Sequence, residues 1–146
     1  MKKGLTLVEI LIIVVILGIL ALSVIPQFAN VSTEAKINTL ASCLRMVRSQ
    51  LELYRLEHNG YPSGGDSASW IAQLTNTTDA AGDTAGFDLG PYIERFPENP
   101  FSNSGTVLID ADGSSAPGHA GCDVHGWYFN AAAGRFSPNT AEHADW

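Results

Sequence analysis

At 146 residues the chain has room for one domain, and its net charge of −7 argues against nucleic-acid binding, which calls for a basic face. The 45% hydrophobic content is ordinary as an average but uneven: residues 5–25 are nearly all apolar, while residues 57–146 are rich in Gly, Ser, Asn, Asp and Pro. No Gly-x-Ser-x-Gly, Walker or dinucleotide-binding pattern occurs, so nothing in the chain marks it as an enzyme.

Met1-Lys2-Lys3 is a short positive cap, which by the positive-inside tendency stays cytoplasmic while the C-terminal bulk is exported. The apolar run behind it predicts a helix able to cross a hydrocarbon core of about 30 Å. An ordinary cleaved signal peptide, cut near Ala21-Leu22-Ser23, would begin in the same way. Two features oppose that reading. Glu9 places a carboxylate at the leading edge of the run, where an unpaired charge costs several kcal/mol. The helical pattern also continues past the supposed cut: Ile37, Leu40, Leu44, Val47, Leu51 and Tyr54 recur at three- and four-residue steps, with Lys36, Arg45, Arg48, Glu52 and Arg55 on other faces.

The spacing therefore predicts one long helix over 5–56, with 5–25 as its transmembrane or core half and 26–56 as its amphipathic half. Pro26 should kink or loosen this helix rather than end it, and Gly18 is a second soft point. Asn59-Gly60 supplies the stop. Such a helix is about 75 Å long, more than a head of residues 57–146 can cover. Lipid or other subunits must cover its first half.

Beyond the helix, Trp70-Ile71-Ala72-Gln73-Leu74 is the apolar anchor of a loop-rich stretch and predicts a helical turn or two. Residues 90–97, held by Tyr92, Ile93 and Phe96, read as an ordered connector, where Pro97 and, just beyond it, Pro100 bar a regular element. Three strands follow, over 106–109, 126–130 and 134–138, the last two joined by a turn over Ala131-Ala132-Ala133. The fold class expected is α+β: a small antiparallel sheet laid on the Leu40 to Tyr54 face of the helix. The aromatic residues of this region are read as core rather than as a binding surface.

Gly4 followed by Leu-Thr-Leu-Val-Glu, an unbroken apolar run, Gly18 and Pro26 closely resembles the N-terminal signature of type IV pilins and type II secretion pseudopilins. The resemblance implies the pilin fold and a non-enzymatic filament subunit. It implies that a prepilin peptidase removes residues 1–4 by cutting between Gly4 and Leu5, and that Leu5 is then N-methylated. Leu5 stands where phenylalanine is most often found. Glu9 would neutralise the processed amine of a neighbouring subunit, so that two charges are buried as a pair; Glu9, Gly18 and Pro26 are the implied assembly residues. The implied partners are further copies in a helical filament, the peptidase, an inner-membrane assembly platform, and membrane lipid before assembly. The implied location is the inner membrane as precursor, then a periplasmic or extracellular filament.

Residues 90–101 are similar to the segment before the sheet of the major pseudopilin, which favours a type II secretion role over the type IV pilus subunit that is the alternative. A monomeric membrane-anchored binding module is the second alternative. No cofactor is called for. Asp110, Asp112 and Asp123 form the acidic cluster nearest to a calcium loop, but the third ligand and the distal Glu are missing, and a solvated turn is the preferred reading. His58, His119, His125 and His143 show no metal spacing and read as surface residues. Cys43 and Cys122 could form a disulfide if the head is exported; two buried thiols are the other reading.

Overall fold

The computed structural model describes residues 6–118 and 124–146, and within its long helix the side chains of residues 22–31 are not described. Helix α1 runs over Leu7–His58, continuous through Pro26. The chain divides into two compact units, Met1–Asn38 and Thr39–Trp146.

In the second unit the predicted amphipathic face is the floor of the core. Leu40, Leu44, Val47, Leu51 and Tyr54 are all buried, as the three- and four-residue spacing requires. The helix ends where Asn59 turns to φ 56°, so the left-handed residue is Asn59 rather than Gly60. Helix α2, Ser67–Thr75, is longer than the turn or two expected from Trp70 to Leu74. Asp66 caps it, its Oδ1 accepting from the amides of Ala68 and Ser69 at 2.8 and 3.0 Å. The cap directs Trp70 and Leu74 into the core, and the Leu74 carbonyl then accepts from the amides of Tyr92 and Ile93, which fixes the connector.

Strands β1 (Val107–Asp110), β2 (Trp127–Asn130) and β3 (Arg135–Pro138) form a sheet in the order β1-β2-β3. The strand positions match expectation within a residue; one pairing does not. β2 and β3 are antiparallel, but β1 and β2 are parallel, so the sheet is mixed rather than antiparallel. The reason lies in the connection: sixteen residues, 111–126, separate β1 from β2, enough for the crossover that a parallel pair needs. One sheet face, carrying Val107, Trp127, Phe129 and Phe136, closes the core against α1 and Trp70.

Glycine is required where β2 begins. A Cβ at Gly126 would lie 1.9 Å from the Ser104 carbonyl oxygen, a backbone atom that cannot swing aside. Gly126→Ala is expected to cost about 2–3 kcal/mol in denaturant unfolding of the full chain in detergent.

Candidate assembly site

The described apolar residues of α1 from Leu7 to Leu20 stand in the open. Leu7 is 83% exposed, and the large apolar residues from Val8 to Leu20 run from 46% to 62%. A soluble monomer gains nothing by holding such a surface in water, so another apolar body must cover it. Among the described residues no helix is long and apolar enough to cross a membrane; the predicted span over 5–25 includes residues at both ends that lie outside them.

Between Thr6 and Ala21, Glu9 is the one charge. Its Oε2 accepts from the Thr6 amide at 2.7 Å and from the Thr6 hydroxyl at 2.8 Å, while the Glu9 amide donates to Thr6 Oγ1 at 3.3 Å. This is a reciprocal capping box, in which Thr6 and Glu9 satisfy one another's amides at the helix start. The Thr-x-x-Glu spacing is readable in the sequence, and Thr6 is a site residue that the sequence reading passed over. Gly18 lies on α1 with nothing within 4 Å of a Cβ built on it, room that a neighbouring helix can use. Pro26 lies within the helix, but its side chain is outside the described residues, as are Gly4 and Leu5 entirely.

The turn at 111–113, with Asp112, is exposed, but Asp110 at its start is not. Asp110 is only 7% exposed, and both its oxygens are taken by the protein: Oδ1 accepts from the Gly113 amide at 2.9 Å and Oδ2 from the Ser115 amide at 2.8 Å. The Tyr128 hydroxyl lies 2.7 Å from both Asp110 Oδ2 and the Ser115 carbonyl oxygen and, with one proton, donates to one at a time. Asp110 thereby pins the start of the crossover, at Gly113 and Ser115, to β2 through Tyr128. Asp112 caps its own turn, through the Ser114 amide. Asp123 lies outside the described residues, and among those described no group of three or more His, Cys, Asp or Glu is placed to hold a metal ion.

The Tyr128 hydroxyl and the Ser115 amide hold the Asp110 carboxyl well below the usual carboxylate range, while burial and the facing carboxylate push Tyr128 up to about 12. A carboxyl whose pKa falls on folding adds stability that is complete above the unfolded value near 4 and is lost as pH falls towards the folded one. The thermal midpoint is therefore expected to drop between about pH 5 and 2, and Asp110→Asn to lower it at pH 7 and flatten that acid limb.

The histidines are not all surface residues either. The His58 ring stacks on Tyr54 with centroids 3.8 Å apart, and its Nε2 lies 2.9 Å from the hydroxyl of buried Thr78. His143 stacks on Phe101. The Tyr92 hydroxyl donates to Glu57, and burial and that carboxylate both push it up. Arg48 donates to the carbonyls of Phe136 and Trp146, tying α1 to β3 and to the residues after it. Cys43 is half-buried, and burial raises its thiol; Cys122 lies outside the described residues, and with it the question of a bridge.

The model of the family described as "Type II secretion system (T2SS), protein G" matches residues 27–114. This chain belongs to that family. It is 30% identical over 129 residues to the type II secretion system core protein G of Aeromonas hydrophila, an alignment covering 84% of this chain and 88% of the relative. The proteins of the same name from Pseudomonas aeruginosa and Vibrio cholerae are 25% and 28% identical over 138 residues, covering 86% of this chain and 95% and 92% of theirs. No solved structure matches the chain. Membership favours the secretion pseudopilin over the pilus subunit that the signature alone left as its alternative.

Proposed function

We propose that this chain is the repeating subunit, the major pseudopilin, of a type II secretion filament. The observation that carries the reading is the exposed apolar half of α1 with one charge, Glu9, in a chain of the protein G family. The precursor waits in the inner membrane with its N-terminus cytoplasmic. A prepilin peptidase cuts between Gly4 and Leu5, Leu5 is methylated, and an inner-membrane assembly platform extracts the subunit into a periplasmic filament. Leaving lipid for the filament core gains little hydrophobic energy, because both surroundings are apolar. Close packing at small residues such as Gly18 and pairing of Glu9 with a neighbour's amine then supply the specificity. The role is structural and uses no catalytic group or cofactor; Asp110 and Asp112 shape a loop.

Mass spectrometry of the chain from cells holding the secretion machinery is expected to show a start at methylated Leu5, and electron microscopy short periplasmic filaments. A mature start near Val24 would sink the proposal, since it would mark a discarded signal peptide.

A further inference from the structure

Helix α1 ends on the dipeptide Asn59-Gly60, and of the chain's asparagines Asn59 alone precedes a glycine. Asn59 is exposed, lies one residue beyond the helix end at His58 and holds φ 56°. A helix terminus opens at the least cost, because its last groups lie outside the hydrogen-bonded ladder. Gly60 is not the left-handed residue of this turn, and nothing lies within 4 Å of a Cβ built on it. Neither backbone conformation nor packing calls for glycine there. Its missing side chain leaves the Gly60 amide nitrogen unshielded.

The other asparagines whose side chains are described are placed differently. Asn38 and Asn76 each precede a threonine, whose β-branch crowds the following amide. Asn99 precedes Pro100, whose nitrogen carries no proton. Asn130 Oδ1 accepts from the Ala133 amide at 2.8 Å, and Oδ1 of buried Asn139 accepts from the Gly118 amide at 2.9 Å. Asn103 shares the exposure and the left-handed φ, at 52°, but Ser104 follows it and is fixed by its bridge to Asn99.

We propose that Asn59 is a site of spontaneous deamidation in the folded chain. The Gly60 amide nitrogen gives its proton to water and attacks Cγ of Asn59. A C–N bond forms, the bond from Cγ to Nδ2 breaks, and Nδ2 leaves as ammonia, closing a succinimide ring. Water then opens the ring at either carbonyl: at Cγ it gives aspartate, and at the main-chain carbon it gives isoaspartate, in which the backbone runs through the former side chain. The net change is a water taken up and an ammonia released, with no enzyme, metal or oxidant involved. Both products bear on the fold. The new carboxylate stands at the C-terminal end of α1, where the helix dipole disfavours negative charge, and close in sequence to Glu57. Isoaspartate also lengthens the main chain between two anchored residues: His58, stacked on Tyr54, and Tyr61, which donates to Glu52 at 2.7 Å and lies edge-on to Phe129 at 5.6 Å.

The test is to incubate the folded full chain in detergent at mildly alkaline pH, then digest it with trypsin and sequence the products by mass spectrometry, Asn59 falling in the peptide 56–95 between Arg55 and Arg95. Asn59 is expected to shift from the mass of an amide to that of an acid, with isoaspartate in the product, while Asn76 and Asn103 stay intact. The aged chain is expected to melt about 5 °C below the fresh one. Gly60→Ala, which the open space around Gly60 accommodates, is expected to keep the fold and lose both the conversion and the drop in midpoint. An Asn59 that converts in urea but stays an amide in the folded chain overturns the proposal, because the turn then protects it. Conversion of Asn103 at the same pace, or of Asn59 in Gly60→Ala at the parental pace, overturns it equally. None of these outcomes touches the filament reading, which rests on the apolar half of α1.

Discussion

Glu9→Gln and Glu9→Ala are both expected to be cut and methylated like the parent and to leave almost no chain in filaments. The pair is chosen because Glu9 holds a cap in the isolated chain and has a proposed charge pairing in the filament, which a single substitution would confound. In the isolated chain it closes the capping box with Thr6. Glutamine can close that box as well, so Glu9→Gln keeps the cap and removes the charge, whereas Glu9→Ala removes both. Loss of a cap costs about 1 kcal/mol, less than a factor of ten in an equilibrium. Loss of one partner from a buried ion pair costs about 3–5 kcal/mol, or about two to three and a half powers of ten. If the carboxylate neutralises a neighbour's amine in the filament core, both variants fail together. If Glu9→Gln polymerises like the parent while Glu9→Ala does not, the residue is a helix cap and the charge-pair role is wrong. The polymerised fraction, read by shearing and sedimentation, decides between them.

Much of this molecule is legible in its sequence because the governing interactions are local. The face from Leu40 to Tyr54 follows from periodicity alone, and every residue of it that the spacing placed inward from Leu40 on is buried. The stop at Asn59 and the apolar anchor at Trp70 are equally local. What the sequence conceals depends on partners far along the chain. Four-residue strands carry no signal for pairing sense, which here is set by the path of the crossover after Asp110. Asp110 looks like a member of a solvated turn until Tyr128, eighteen residues later, places its hydroxyl on it. His58 looks like a surface histidine at a helix end until Thr78 and Tyr92 close over it. For the assembly site, Glu9 stands out as a charge in an apolar run, but its bond to Thr6 competes with the proposed intersubunit role and changes which substitution tests it.

The head itself is expected to fail at Trp70. Its ring is fully buried and lies against three others: Phe129 at 5.1 Å between centroids, Phe96 edge-on at 6.0 Å, and Phe136 stacked at 6.2 Å. α2 thus joins β2, β3 and the connector through one side chain. Trp70→Ala empties that junction and is expected to cost about 3–5 kcal/mol, against a total of roughly 5–15 kcal/mol for a small domain. At about 4–8 °C per kcal/mol for a domain of this size, the thermal midpoint should fall by about 12 °C or more. Trp70→Phe separates packing from polarity. The indole Nε1 is buried with no hydrogen-bond partner among the described residues, so phenylalanine removes a donor that returns nothing and keeps much of the ring contact. Its cost should be less than half that of alanine in unfolding followed by near-ultraviolet circular dichroism. A Phe variant as damaged as the Ala variant would mean that the indole nitrogen has a partner that matters, and that the junction is held by more than the packing of four rings.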